Sequence, residues 1–267
     1  MSVRTKHNLL VTSVTAENKP LAGKAAIITG SARNMGRAFC VALARLGADV
    51  TIHHHGTSSR TDAEETAQQV RQQGARAAIV EGDLVDLNVV KRLFEATRVR
   101  FGRVDIVINN AGLVVKKPFT EISEADFDRS FGINAKAAFF VMQEAARCIA
   151  DHGRIINMGT TILGATIPFY SVYAGAKAAL EDFTRALARE IGSRGVTVNV
   201  VAPGPIDTAF YHGAETPEAV ARATTASVAG RLGNIEDIVP LIEFLASPQS
   251  QWVTAQTLFI NGGYLAR

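Results

Sequence analysis

The chain has 267 residues, 47% hydrophobic and 20% charged, with a formal net charge of +3 and an isoelectric point near 9.0. This is the composition of a globular protein with a large core, and it excludes a disordered or fibrous chain. No apolar run approaches the roughly 18 residues a bilayer-crossing helix needs, and Lys and Arg are scattered rather than striped, which argues against a nucleic-acid or membrane partner.

The chain opens on "MSVRTKHNLLVTSVTAENKP", which has no apolar core of signal-peptide length. Arg4, Lys6 and the hydroxyl residues resemble a transit peptide only faintly, and we expect residues 1–20 to be a loose polar tail. Short β-branched runs then alternate with longer amphipathic ones. "KAAIITG" reads as a buried strand, followed by a helix from about Gly36 to Leu46. "ADVTIHH" is a second strand and "TDAEETAQQVRQQG" its helix, ending at Gly74. "RAAIVEGD" and "LNVVKRLFEATRVRFG" form the third pair, and "VDIVINNAG" is the fourth strand, leading to a long helical region from about Glu124 to Ile149. "GRIINMG" and "VTVNVVAPG" are strands flanking a helix from about Tyr173 to Ile191; "IEDIVPLIEFLASP" is the last long helix and "QTLFING" the closing strand.

Strands that are apolar throughout, each followed by a helix, predict a doubly wound parallel α/β sheet with helices on both faces. Nothing divides the chain, so residues 21–267 read as one Rossmann-like domain with its ligand crevice at the carboxyl ends of the strands. Cys40 and Cys148 fall in apolar helical stretches, and read as buried free thiols in a reducing compartment, most simply the cytoplasm.

"TGSARNMG", Thr29 to Gly36, joins the first strand to the first helix. A strand, a glycine turn and a helix N-terminus make an anion site, because free backbone N–H groups and the helix dipole converge there. Taken in order, this loop, "NNAG" and Tyr-x-x-x-Lys resemble the short-chain dehydrogenase/reductase family, in particular its 3-oxoacyl-carrier-protein reductase-like members. The resemblance runs from about Leu21 to Tyr264. That family carries TGxxxGxG, so Asn34 stands in place of the middle glycine. Asn tolerates a positive φ better than other non-glycine residues, and the loop is expected to keep its nucleotide through Gly30, Arg33, Asn34, Met35 and Gly36.

NAD-binding sheets of this kind place an acid at the end of the second strand to hold the ribose 2′-OH. Here "TIHHHGTSSRTD" offers no acid before Asp62, which falls in the next helix. Ser58, Ser59 and Arg60 follow the strand instead, and with Arg33 they suit a 2′-phosphate. The expected cofactor is therefore NADP(H). His53, His54 and His55 do not read as a metal site, since neighbours along a strand point to opposite faces. The resemblance implies further cofactor contacts at Asp83 and Leu84, at Asn110, Ala111 and Gly112 of "NNAG", and at Pro203, Gly204, Ile206 and Thr208 of "APGPIDT".

Tyr173 and Lys177 in "YAGAK" are four positions apart, on one face of a helix. The resemblance makes them the catalytic pair, with Tyr173 exchanging the proton and Lys177 lowering its pKa and binding the nicotinamide ribose. The family's serine, thirteen positions before the tyrosine, is replaced by Thr160, whose hydroxyl would position the carbonyl oxygen; Thr161 is the alternative donor. Asn134 matches the family's proton-relay asparagine. Residues 209–230 match its variable substrate lid, where Phe210 and Tyr211 are candidate substrate contacts, with Phe169 and Tyr170 before the catalytic helix. The chain is thus expected to interconvert a ketone or aldehyde and an alcohol by hydride transfer, without a metal, as a homotetramer. The competing expectation is a non-catalytic NADP-binding regulator.

Overall fold

The computed structural model describes residues 19–165 and 167–266; the expected tail lies, from residue 1 to residue 18, outside the described residues. The strands are β1 (Ala25–Ile28), β2 (Asp49–His54), β3 (Ala77–Glu81), β4 (Ile106–Asn109), β5 (Arg154–Met158), β6 (Thr197–Pro203) and β7 (Thr257–Ile260). The helices are α1 (Asn34–Arg45), α2 (Arg60–Gln72), α3 (Leu87–Phe101), α4 (Glu124–Phe131), α5 (Ala138–Cys148), α6 (Ser171–Ile191), α7 (Ala209–His212), α8 (Pro217–Ala226) and α9 (Ile235–Ala246).

The described residues form one seven-stranded parallel sheet in the order β3-β2-β1-β4-β5-β6-β7. The chain winds outward from β1 to β3, then returns to place β4 on the other side of β1. The crevice that binds ligands in such sheets opens where the winding reverses, and both TGSARNMG and NNAG lie there. Alternation along β1 shows why both faces are covered. Ala26 and Ile28 enter a core with Phe39, Leu43 and Ile242 of α1 and α9. Ile27 points the other way, into a core with Phe94, Val141 and Leu180 of α3, α5 and α6.

Local signals set the element ends. Asp86 caps α3 by accepting from the Asn88 N–H at 2.9 Å, and Gly102 ends it in the left-handed region. Ser123 and Asp126 cap α4 reciprocally. The long helical region expected over 124–149 carries one irregularity, a π-helical turn over Gly132–Ala137 that joins α4 to α5. Cys40 is buried, whereas Cys148 is only half-buried; both are free thiols.

Candidate active site

The phosphate-type loop is built by close backbone approach. A Cβ on Gly36 would lie 2.5 Å from the Gly30 carbonyl oxygen, and one on Gly30 would lie 2.8 Å from Ala111 Cα. Neither position accepts a side chain without moving backbone. Asn34 takes φ +52°, the left-handed conformation that its replacement of a glycine demanded. The N-terminus of α1 has no side-chain cap and no acid in its first turn. Its N–H groups and dipole are thus uncompensated by the chain, as an anion-binding terminus requires. NNAG locks onto this loop through Thr29, whose hydroxyl accepts from Asn110 N at 2.9 Å and Ala111 N at 3.0 Å. Asn110 Nδ2 donates in return to the Thr29 and Gly30 carbonyls.

His53 ties the same loop to the end of β3. Its Nδ1 accepts from Gly30 N–H at 3.1 Å, so the ring proton sits on Nε2 and is donated to the Gly82 carbonyl at 2.9 Å. Burial pulls its pKa down to about 4, which keeps the ring neutral. His54 turns to the other face and His55 is exposed. The described residues hold no group of three or more metal-ligating side chains. His53 and Thr29 were missed as site residues by the sequence reading, since their partners are brought near only by the order of strands.

At the rim, Arg33 and Arg60 are exposed and pair with Asp62 at 3.7 Å and Glu81 at 3.3 Å. Asp62 lies in the first turn of α2, as expected. Ser58 is exposed, but Ser59 donates its hydroxyl to Gly56 O at 2.8 Å and shapes the turn. Asp83 is exposed and accepts from Val85 N at 3.0 Å. Leu84 is buried in the core, so only its backbone could meet a ligand.

α6 carries Tyr173 and Lys177 on its buried stripe. The Tyr173 phenol is pushed up to about 12 by burial, partly offset by a hydrogen bond with Thr160. Thr161 instead donates to the Ala202 carbonyl at 3.1 Å, which leaves Thr160 as the hydroxyl beside the tyrosine. Lys177 is pulled down to about 8 by burial and donates to the Met158 carbonyl at 2.7 Å. Asn134 sits in the π turn and donates to the Leu113 and Ser130 carbonyls at 2.9 and 3.0 Å. A Cβ on Gly112 would come within 2.8 Å of Asn134 Oδ1 and 3.4 Å of Lys177 Nζ, so all three share one spot beneath the crevice.

Thr160 and Tyr173 open onto a cleft of about 400 Å³. It is lined by Thr160 and Tyr173, by Met35, Pro203, Gly204, Ile206 and Thr208, and by Tyr170, Phe210 and Tyr211. Thr208 caps α7 by accepting from Tyr211 N at 3.3 Å, which sets the lid's first turn. Phe169 does not line the cleft; it is exposed with φ +73°. The arrangement can hold an anion at the α1 terminus and can present the two hydroxyls of Thr160 and Tyr173 to an oxygen in the cleft.

Comparison with known proteins places this geometry. A family model described as "Enoyl-(Acyl carrier protein) reductase" matches residues 30–265. The chain is 37% identical to an Arabidopsis thaliana "NADPH-dependent aldehyde reductase-like protein, chloroplastic", over 95% of this chain and 98% of that one. It is 37% identical to a Picea abies "Short-chain type dehydrogenase/reductase" over 91% of this chain and 93% of that one. A Burkholderia cenocepacia protein described as a dehydrogenase, solved with bound NADP, superposes with a TM-score of 0.90 at 45% identity, over 94% of this chain and 96% of that chain. With the loop, NNAG and Tyr173-x-x-x-Lys177 all disposed around one crevice, the chain belongs to the short-chain dehydrogenase/reductase family.

Proposed function

We propose that this chain, an NADP(H)-dependent oxidoreductase, reduces a ketone or aldehyde to an alcohol and runs the reverse reaction when alcohol is supplied. NADP(H), when bound, supplies or accepts the hydride at the carbonyl carbon. The observation that carries the reading is the hydroxyl pair of Thr160 and Tyr173 on the cleft wall. Thr160 fixes the carbonyl oxygen. Tyr173, still protonated far above neutral pH, gives its proton to that oxygen as the alkoxide forms. Lys177 holds the Met158 carbonyl and, with Asn134, supports the route by which Tyr173 regains its proton.

The α1 terminus, Gly30, Asn34, Met35 and Gly36 cradle the diphosphate, while Asn110, Ala111 and Gly112 border the ribose side. Ile206 and Thr208, with Pro203 and Gly204, take the nicotinamide end. Arg33 and Arg60 exchange their exposed carboxylate partners for the 2′-phosphate, with Ser58 beside them. Exposed ion pairs of that kind contribute little, so the exchange costs little.

Two separate sets of exposed aromatics support a homotetramer. Phe127 and Phe139 lie on α4 and α5, and Phe244 and Trp252 lie on and just after α9. A tetramer with two kinds of two-fold contact would use two such faces. No described helix is long and apolar enough to cross a membrane, and the free thiols support the cytoplasm as the compartment.

Tyr173→Phe tests the chemistry. The variant is expected to bind NADPH as the parent does, while turnover falls by about 10²–10⁴-fold. Turnover retained in the variant would contradict the role of Tyr173 as proton donor, whereas a parent chain that binds NADPH and turns over no ketone or aldehyde would favour a protein that only binds NADP(H).

A further inference from the structure

The lid carries a carboxylate for which the reduction chemistry has no use. Glu215, in the link between α7 and α8, has a side chain only 6% exposed, and it borders the same cleft as Thr160 and Tyr173. Its Oε2 accepts from Lys116 Nζ at 2.5 Å, and its Oε1 accepts from the Tyr170 hydroxyl. Lys116 also stands over the Tyr170 ring, 5.2 Å from its centroid, so the three side chains hold one another in place.

A carboxylate offers about four acceptor directions, two on each oxygen. Lys116 and Tyr170 occupy one on each, so acceptor capacity remains on an atom group that faces the cleft. The other donors that line the cleft on the lid side, Tyr211, Arg222 and Tyr264, make no hydrogen bond or ion pair with that carboxylate, whose partners are Lys116 and Tyr170. Desolvated acceptor positions are costly unless a donor reaches them, and a bound substrate shuts out the water that would otherwise serve. Lys116 already neutralises the charge, so the site suits a neutral donor and not an ammonium group. The ring centroids of Tyr170 and Tyr173 are 6.1 Å apart. Tyr170, Tyr173 and Glu215 all line this cleft, so a ring system whose ketone oxygen reaches Tyr173 has room to offer a second polar group to Glu215.

Building on the carbonyl-reductase reading, we propose that Glu215, positioned by Lys116 and Tyr170, is the specificity-determining acceptor of the substrate site, and that it selects cyclic ketones bearing a hydroxyl remote from the reacting carbonyl. Such a site favours substrates that bring a donor over analogues that lack one, because only the former fill the carboxylate's remaining acceptor positions once water is shut out.

The test compares 2-tetralone, 6-hydroxy-2-tetralone and 6-methoxy-2-tetralone as substrates of the full chain with NADPH. The expected kcat/KM for the hydroxy ketone exceeds that of the parent ketone by about ten-fold or more, the range of one hydrogen bond to a charged group, and the methoxy ketone shows no such gain. In Glu215→Gln the ratio between hydroxy and parent ketone falls toward one, whatever happens to the rate common to both; a purely structural loss would lower both equally. Equal kcat/KM for the hydroxy and parent ketones in the unaltered protein would overturn the proposal while leaving the reductase reading standing. Failure to oxidise NADPH with any of the three would count against both.

Discussion

Adjacent residues of one type do different work here. Thr160 and Thr161 both carry a hydroxyl at the end of β5, yet one meets Tyr173 and the other the Ala202 carbonyl. Thr160→Val is therefore expected to lower turnover by about 10²-fold, the scale of a lost oxyanion-type donor. Thr161→Val should instead cost about 1 kcal/mol of stability, through one lost buried hydrogen bond; steady-state kinetics and chemical denaturation separate the two. The family pattern on its own left Thr161 open, because which of two neighbours faces the cleft depends on the backbone turn after the strand. His53 shows a different limit. The sequence set aside a metal reading of the three consecutive histidines on strand geometry and left them a strand-end or adenosine-side role, but the bridge from Gly30 to Gly82 needs three elements brought together. Its pKa is lowered from 6.5 to about 4 by burial, so the neutral form is the one the fold holds. The unfolded chain takes up the proton first as pH falls, and this residue's share of stability is lost between about pH 6.5 and pH 4, on the order of 3 kcal/mol. Denaturation curves of His53→Asn across that range should be flatter than those of the parent; equal slopes would contradict the bridge.

Among the elements, those defined by local pattern were legible and those defined by partners were not. The strand periodicity, the Gly102 stop of α3 and the positive φ of Asn34 all follow from residue type at its own position. The π turn around Asn134 does not: it interrupts an unbroken apolar pattern, with the Asn134 amide bonded to the Leu113 carbonyl outside the helix. The rim after β2 is intermediate. The lack of an acid there was visible, whereas the engagement of Ser59 in its own turn and the pairing of Arg33 and Arg60 with Asp62 and Glu81 were not. If these two guanidinium groups hold the 2′-phosphate, Arg33→Ala combined with Arg60→Ala should weaken NADPH binding by about ten- to a hundred-fold and leave NADH binding nearly unchanged. Titration of nicotinamide fluorescence reads both. Equal losses for the two cofactors would remove the rim from the 2′-phosphate assignment.

Across the whole molecule, the order of strands does what no single motif can. Placing β4 beside β1 brings NNAG against TGSARNMG, and running α6 under the end of β5 brings Tyr173 to Thr160. The alternation of strands and helices predicted that sheet, and the family resemblance predicted which loops would meet at its crevice. The Lys116–Glu215–Tyr170 cluster had no such signal, because its members are far apart in sequence and none belongs to a motif. The central claim is that hydride passes between the nicotinamide and a carbonyl carbon in this cleft. It is tested most directly by supplying NADPH deuterated at the transferring nicotinamide carbon together with 2-tetralone, and locating the label by mass spectrometry and NMR. Deuterium on the carbinol carbon of the alcohol product is the predicted result. An alcohol without label there, or NADPH consumed with no alcohol formed, would contradict the account.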